Sequence, residues 1–189
     1  IELHNASEET VDLSGWAIRW GTSEFSSEAE FASGSLPPGS YALIGSDLVG
    51  AALLARLNLG NAGSNSDGIQ LVDASGEVVD TVIYGAPNSD GWIDDSGDVA
   101  TSMAPSALSG QAIARAVDGL DSDLSGADFV IADAPTPAAS NLLAIDDPVE
   151  GDDTGFMVSE CPGGSALKIN ELMVNPEGAD GGGEGIELF

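Results

Sequence analysis

Basic side chains are scarce in this sequence of 189 residues: four Lys and Arg residues stand against 32 Asp and Glu residues, a formal net charge of −28 at pH 7. A surface this negative repels phosphate groups, so direct binding to nucleic acid and adhesion to an anionic membrane are disfavoured. No apolar run reaches the roughly 18 residues of a membrane-spanning helix, so we expect no membrane insertion. The acidic excess suits either solubility in a salty environment or the binding of cations.

Cysteine and histidine occur once each, which limits the catalytic chemistry. Cys161 has no second cysteine in the sequence with which to form a disulfide. His4 lies on a strand that we expect to face solvent, so a Cys161–His4 nucleophile–base pair is disfavoured. A single His cannot supply a multi-His metal centre, and no pattern singles out two carboxylates for glycoside hydrolysis. We therefore predict that the chain is not an enzyme.

Aromatic residues make up only 5% of the chain, so Val, Ile, Leu and Ala must form most of its core. Trp16 follows an alternating apolar run and is expected to pack in that core. Trp92 lies in a loop rich in Asp, Ser and Gly, so it is the better candidate for a residue that contacts a ligand or partner.

Turn-forming residues are abundant, with 25 Gly and nine Pro, and short alternating apolar runs lie between them. The clearest β-hairpin joins residues 68–73 to residues 77–84. Residues Leu48 to Leu59 have helical spacing. Other short strands are predicted at residues 1–5, 11–20, 41–44, 112–115 and 128–131. The sequence therefore predicts an all-β fold, with roughly seven to nine short strands and at most one short helix in residues 1–141.

The chain divides into three parts by composition. Residues 1–141 carry the strand pattern, and residues 142–166 are acidic and contain Gly and Pro, as a linker does. A strand pattern returns at Leu167. Near the end of the sequence, Ile186-Glu187-Leu188 repeats the opening Ile1-Glu2-Leu3, which predicts that residues 167–189 begin a second repeat.

Several motifs in residues 1–141 follow one another in the order typical of one family. They are Leu13-Ser14-Gly15-Trp16, Leu36-Pro37-Pro38-Gly39, Ile69-Gln70-Leu71-Val72-Asp73, Gly76-Glu77-Val78-Val79-Asp80 and Asp128-Phe129. With these motifs the sequence resembles the lamin-tail domain family. The resemblance implies an immunoglobulin-like β-sandwich. It also implies an exported, multidomain bacterial protein, because such domains are usually found there, sometimes beside nucleases or phosphoesterases.

The function that this resemblance implies is a non-catalytic structural or interaction module, located extracellularly or at the cell surface. One alternative is an accessory domain that positions a neighbouring catalytic domain, such as a nuclease or phosphoesterase. A second alternative is a calcium-dependent adhesion module. The partner is expected to be a protein or a cell surface, and the residues do not specify which.

One departure from the family pattern concerns its first strand. The residues that resemble that strand, Ile169-Asn170-Glu171-Leu172, stand at the far end of the chain. We therefore expect residues 1–141 to be a domain without its own first strand, and the segment Leu167 to Val174 to complete the sheet as a C-terminal extension strand. The pairing is expected within one molecule, with strand-swapped self-association as the alternative.

Calcium is the one metal that the acidic residues could hold. Ca²⁺ takes about six to eight oxygens, and Asp121, Asp123, Ser125 and Asp128 have part of the spacing of a calcium loop. Ala132 stands where such a loop would have its bidentate Glu, and Asp side chains also stabilise turns without any ion. Residues 94–98 are a second candidate. We expect no cofactor, with calcium at Asp121 to Asp128 as the alternative.

Overall fold

The computed structural model describes residues 1–45, 52–54, 56–61, 63–141 and 167–174. The predicted linker, residues 142–166, and the later part of the predicted second repeat, from residue 175 onwards, lie outside the described residues. Cys161 lies outside them as well. The described part of the chain contains no helix long and apolar enough to cross a membrane.

Twelve strands and one short helical turn make up the described structure. The strands are β1 Glu2–Asn5, β2 Val11–Asp12, β3 Ala17–Gly21, β4 Ser27–Glu30, β5 Ser35–Leu36, β6 Tyr41–Gly45, β7 Leu53–Leu54, β8 Ser66–Val72, β9 Val78–Gly85, β10 Ala112–Arg115, β11 Phe129–Ala132 and β12 Leu167–Leu172, and the helical turn is α1 Ser125–Asp128. Within residues 1–141, eight strands have four or more residues and three have two. The all-β prediction is confirmed.

The strands form two main sheets that share one core. One sheet has six strands in the order β11-β10-β12-β1-β6-β7, and the other has four in the order β4-β3-β8-β9, while β2 and β5 pair separately. Buried side chains from both sheets join in a single apolar cluster, including Leu3 and Ile113 from the first sheet and Ile18 and Ile69 from the second. Burial of these alternating side chains is the main force that holds the sheets face to face.

The predicted hairpin is present as β8 and β9, which pair antiparallel around a turn at Asp73. The Asp73 carboxylate accepts hydrogen bonds from the backbone N–H groups of Ser75 and Glu77, and the φ of Gly76 is +89°. A carboxylate that binds the backbone of its own turn, followed by a Gly in the left-handed region, is the turn chemistry that joins two antiparallel strands.

The helix predicted at Leu48 to Leu59 is wrong where the structure describes it. Leu53–Leu54 is a strand that pairs in parallel with β6. Leu57 and Leu59 are both buried in the core. Two residues spaced by two positions share one face of an extended chain but lie on different faces of a helix. Leu57 and Leu59 therefore reach the core from backbone that is not helical. Residues 46–51 and 55 lie outside the described residues.

Strand β12 lies in the middle of the six-stranded sheet. It pairs antiparallel with β1 on one side and with β10 on the other, and all six of its residues are buried. Leu3 faces Ile169 and Glu2 faces Glu171, so Asn170 is an extra residue opposite β1. This β-bulge shifts the alternation, since Ile169 and Leu172 both contribute to the core.

Candidate functional site

The structure gathers its buried charges where β12 enters the sheet. Without β12, strands β1 and β10 would each lack one neighbour, because they do not pair with each other. We call the space between them the β12 slot. Buried polar groups from β1, β9 and β10 and from residues 116–141 line this slot. These groups contact residues of β12.

Arg115, the last residue of β10, is the centre of the buried charges, with a side-chain exposure of 1%. Its Nη2 donates to both carboxylate oxygens of Asp80 at 3.0 and 2.8 Å. Its Nε donates to the backbone oxygen of Ile169 at 2.7 Å, and Nη1 lies 3.4 Å from Oδ2 of Asp128. A guanidinium has five N–H donors in a fixed plane, so one Arg can join β9, β12 and α1 at once.

Lys168 projects from β12 into the same cluster. Its Nζ donates to Oδ2 of Asp121 at 2.6 Å and to the backbone oxygen of Val79 at 3.1 Å. Burial alone would lower the pKa of Lys168, but the carboxylates of Asp80 and Asp121 raise it above its ordinary value. The ammonium therefore stays charged inside the protein and ties β12 to the opposite sheet.

Asp80 completes the connection between the two sheets. Besides its two bonds from Arg115, its Oδ2 accepts a hydrogen bond from the backbone N–H of Ile169 at 2.7 Å. Asp80 lies on β9 and is fully buried. A buried carboxylate is costly unless it is paired and hydrogen-bonded, and here one carboxylate binds both the Arg and the inserted strand.

A second group of carboxylates holds the other half of β12. Asn170 Nδ2 donates to Oε1 of Glu2 at 3.2 Å and to Oδ1 of Asp118 at 3.1 Å. Oε2 of Glu171 accepts from both the backbone N–H and the hydroxyl of Thr136, at 2.8 and 2.9 Å. Asn141 Nδ2 donates to the backbone oxygen of Asn170 at 3.2 Å. Residues 136–141 are thus fixed against β12.

Burial changes the proton affinity of these carboxyl groups. Desolvation raises the pKa of Glu2 to about 7, against the hydrogen bonds from Asn170 and the Ala138 backbone, which lower it. The pKa of Glu171 is also raised, again chiefly by burial. Asp118 differs: burial acts to raise its pKa, but hydrogen bonds, including one from the Tyr41 hydroxyl, bring it below its ordinary value.

Asp95 is the least satisfied acid of the site. Burial, together with the charges of Asp80 and Asp121, raises the pKa of Asp95 to about 8. Among the described residues, Oδ1 of Asp95 is buried and has no hydrogen-bond partner. Carboxylate oxygens of Asp80, Asp95 and Asp121 lie within 4.8 Å of one another. Two of these three acids already bind Arg115 or Lys168, so the group is an ion-pair network with one additional acid at its side.

The residues predicted to bind calcium do not all turn toward one point. Asp121 binds Lys168, and Asp128 accepts from the backbone N–H and hydroxyl of Ser122. The Ser125 hydroxyl accepts from the backbone N–H of Ile83 at 3.1 Å, and Asp123 is exposed. The structure thus brings Asp121 and Asp128 together around Arg115. Calcium binding at this segment remains a prediction.

In the second calcium candidate, residues 94–98, the polar atoms mostly bind the turn itself. Asp94 Oδ1 accepts hydrogen bonds from the backbone N–H and the hydroxyl of Ser96. The backbone N–H of Gly97 donates to the backbone oxygen of Asp94. These are the contacts of a carboxylate-stabilised turn. The turn directs Asp95 toward Asp80 and Asp121.

Two sequence-based placements were wrong. Trp92 is buried rather than a surface contact: its indole N–H donates to the oxygen of Ser66 at 3.1 Å, and its ring lies against Gly68, where a Cβ atom would come within 2.8 Å of it. His4 is also buried, and its ring stacks on that of Tyr41 with 4.7 Å between the two ring centroids. Trp16, in contrast, packs partly buried against the core, as predicted.

Sequence reasoning missed the central role of Arg115 and Lys168. A signal was present, because these are two of only four basic residues in a chain of net charge −28, and both lie within predicted strands. A basic side chain in a strand that must be buried implies buried acidic partners. The sequence alone does not identify which of 32 acidic residues those partners are.

Comparisons with known proteins yield one family. Residues 1–86 match the family model described as Lamin Tail Domain, and the match extends from β1 to the end of β9. This is an immunoglobulin-like fold family, so the predicted resemblance and the predicted immunoglobulin-like β-sandwich are both confirmed. No curated protein and no solved structure matches the chain.

Proposed function

We propose that this chain, whose residues 1–86 match the lamin tail domain family, is a non-catalytic structural and interaction module of an exported multidomain protein. In this proposal the module acts by holding a strand from a distant part of the chain in its sheet. The observation that carries the proposal is the position of β12, buried between β1 and β10 and bound by Arg115, Asp80 and Asp121.

The buried charges of Arg115, Lys168 and Glu171 support a structural role because each of them connects separate segments. Arg115 joins β10 to β9 and β12, and Lys168 joins β12 to Asp121 and β9. Glu171 fixes residue 136 to β12. These paired side chains hold the strands together, because separating the strands would leave a buried charge without its partner.

A cleavage experiment tests whether the module retains its C-terminal strand without a covalent connection. A recognition sequence for a specific protease is inserted within residues 142–166 of the full chain, and the purified protein is cut there. We expect the fragment that contains β12 to co-elute with the rest of the chain on size exclusion in native buffer, and to separate from it in denaturant.

The control for this experiment is the same protein with Ile169→Asp. This substitution places a carboxylate at a core position that is 0% exposed, so the cut fragment should be released in native buffer. Release of the unsubstituted fragment in native buffer would contradict the proposal, because the sheet would then depend on the covalent connection alone.

The proposed location is extracellular or on the cell surface. An acidic, highly charged surface is suited to solubility at high ionic strength, where counterions reduce self-repulsion. Fractionation of the cells that produce the protein, with detection by an antibody against this module, tests the location. Recovery in the cytoplasmic fraction would rule out export.

A further inference from the structure

We propose that the β12 slot is a sequence-selective strand-binding site whose partner in trans is the Leu167–Val174 segment of a second copy of this chain. This inference rests on the proposed function and deepens it, because it names the partner. The slot would bind the same residues through the same contacts, whether they come from its own chain or from another.

The β12 slot offers an added strand a pairing partner on each of its two sides. Strand β12 pairs with β1 at Leu3 and with β10 at Ile113, so removing it would expose the backbone groups of two strands at once. Leu167, Ile169 and Leu172 are each 0% exposed, so an empty slot would also expose apolar core. A strand with backbone pairing on both edges and buried apolar side chains is the preferred occupant of such a groove.

The polar residues of β12 supply the selectivity. Lys168 binds Asp121 and the oxygen of Val79, Asn170 binds two carboxylates, and Glu171 binds both polar groups of Thr136. A generic apolar strand would leave these buried acceptors and donors without partners. Specificity of this kind follows because an unpaired buried polar group costs more than a pair gains.

The bulge at Asn170 adds a geometric requirement. Because Leu3 faces Ile169 while Glu2 faces Glu171, the occupant must place one additional residue opposite β1. That residue directs its side-chain amide to Glu2 and Asp118. The slot therefore selects the order Lys-Ile-Asn-Glu, and a strand of regular alternation would be out of register after the position of Ile169.

The connection does not restrict the slot to its own chain. The side chain of Asn141 contacts the backbone of Asn170, so the first part of the chain ends beside β12. The 25 residues from 142 to 166 could span at most roughly 80–90 Å if fully extended. This reach suffices for a neighbouring molecule. Reciprocal exchange between two copies would fill both slots and give a closed dimer with two-fold symmetry.

The first test uses the full wild-type chain, which is unfolded in urea and refolded with a large excess of a fluorescent peptide of residues 166–174. We expect the label to elute with the folded protein. Two control peptides carry Ile169→Asp and Lys168→Glu. We expect at least about tenfold less label to be retained with the Ile169→Asp peptide, because that peptide would bury an unpaired carboxylate at a core position. Equal retention of all three peptides, or no retention of the wild-type peptide, would overturn the proposal.

The second test asks whether a second copy is the donor. The Cys161→Ser chain, which cannot form an intermolecular disulfide, is refolded over a range of concentrations and analysed by size exclusion with light scattering. We expect a dimer fraction that grows with concentration and that an excess of the unlabelled wild-type peptide reduces, because the peptide occupies the same slots. A chain that stays monomeric throughout, or a dimer that the peptide leaves unchanged, would refute exchange between copies.

The two proposals fail in different ways. If the cut fragment is retained but no peptide or second copy enters the slot, the structural module stands and the binding in trans is wrong. If the cut fragment is released in native buffer, the module itself is wrong, whatever the peptide does.

Discussion

The two sheets of this β-sandwich differ in how their strands are joined. In the four-stranded sheet, β3 pairs with β4 and β8 pairs with β9, so strands that are neighbours in sequence are neighbours in space. In the six-stranded sheet, Leu3 pairs with Ile169, and β12 also separates β1 from β10. The two hairpins of the first sheet follow from local turns and are joined by the long-range pairing of β3 with β8, whereas the second sheet requires contacts between the two ends of the described chain. The buried ion pairs lie where β12 enters the six-stranded sheet, at the part of the fold that local turns do not determine.

Two Arg residues show the same difference in energetic terms. Arg19 and Glu28 face each other across β3 and β4 at 2.6 Å, with side chains 35% and 50% exposed. Arg115 and Asp80 are 2.8 Å apart, and each is 1% exposed. The distances are similar, but water surrounds the first pair and is excluded from the second. Removing a partner should therefore cost little in the exposed pair and much in the buried pair, which joins the two sheets.

The largest expected effect is that of Arg115→Lys. An ammonium cannot bind both oxygens of Asp80 and also reach the oxygen of Ile169, so buried acceptors lose their donors. We expect the free energy of unfolding to fall by about 3 kcal/mol or more. Urea denaturation followed by circular dichroism measures this change.

The matched control for that substitution is Arg19→Lys in the exposed pair. Its cost should stay below about 1 kcal/mol, because solvent screens the charges. Equal costs for the two variants would show that burial does not distinguish the two ion pairs.

The second prediction concerns ionic strength. With a net charge of −28, the folded chain repels itself, so we expect the melting temperature to rise by several degrees from low to high sodium chloride. The buried Arg115–Asp80 pair is little screened, whereas the Arg19–Glu28 pair is exposed. The destabilisation by Arg115→Lys should therefore be the same at both salt concentrations. A large salt dependence of that difference would indicate that the cluster is accessible to solvent.

The sequence was sufficient for the elements that depend on local pattern. The hairpin of β8 and β9 and the strands around Ala112 and Phe129 were predicted because alternation and turn residues are readable over a few positions. The phase of β12 could not be predicted. The bulge at Asn170 places Leu172 in the core, although unbroken alternation from Ile169 would have chosen Met173.

The candidate site was less predictable than the fold. Asp121 and Asp128 were selected from the sequence for their spacing, yet in the structure they face Arg115. Asp80 was noticed only as part of a family motif. Ion pairs between residues far apart in sequence leave no periodic signal, and in a chain with 32 acidic residues the composition does not identify the buried ones.

The third prediction concerns pH and the acid at the edge of the cluster. The pKa of Asp95 is raised to about 8 by burial and by Asp80 and Asp121, from an ordinary value of 3.8. Between these values the folded protein holds a proton that the unfolded chain has lost. The contribution of Asp95 to stability therefore falls as pH rises from about 4 to about 8, and it is constant above that range.

Replacing Asp95 with Asn should remove this dependence. We expect Asp95→Asn to melt a few degrees above the wild type at pH 8, and to exceed it much less at pH 4, near the ordinary pKa of 3.8, because the wild type has lost little stability there. The control is Asp98→Asn, which removes one negative charge at an exposed position of the same loop. A wild-type-like melt of Asp95→Asn at pH 8 would show that Asp95 is ionised there without cost.

The smallest effect is expected for calcium, and it tests whether the cluster is complete without a metal. Calcium at Asp121 to Asp128 would need these carboxylates to turn away from Arg115 and Lys168, which already neutralise them. We therefore expect millimolar calcium and magnesium, at a fixed ionic strength, to give the same melting temperature. Both ions screen the acidic surface alike, whereas only a site with several converging oxygens prefers calcium. An increment specific to calcium that disappears in Asp121→Asn would contradict this expectation and favour the calcium-dependent adhesion module.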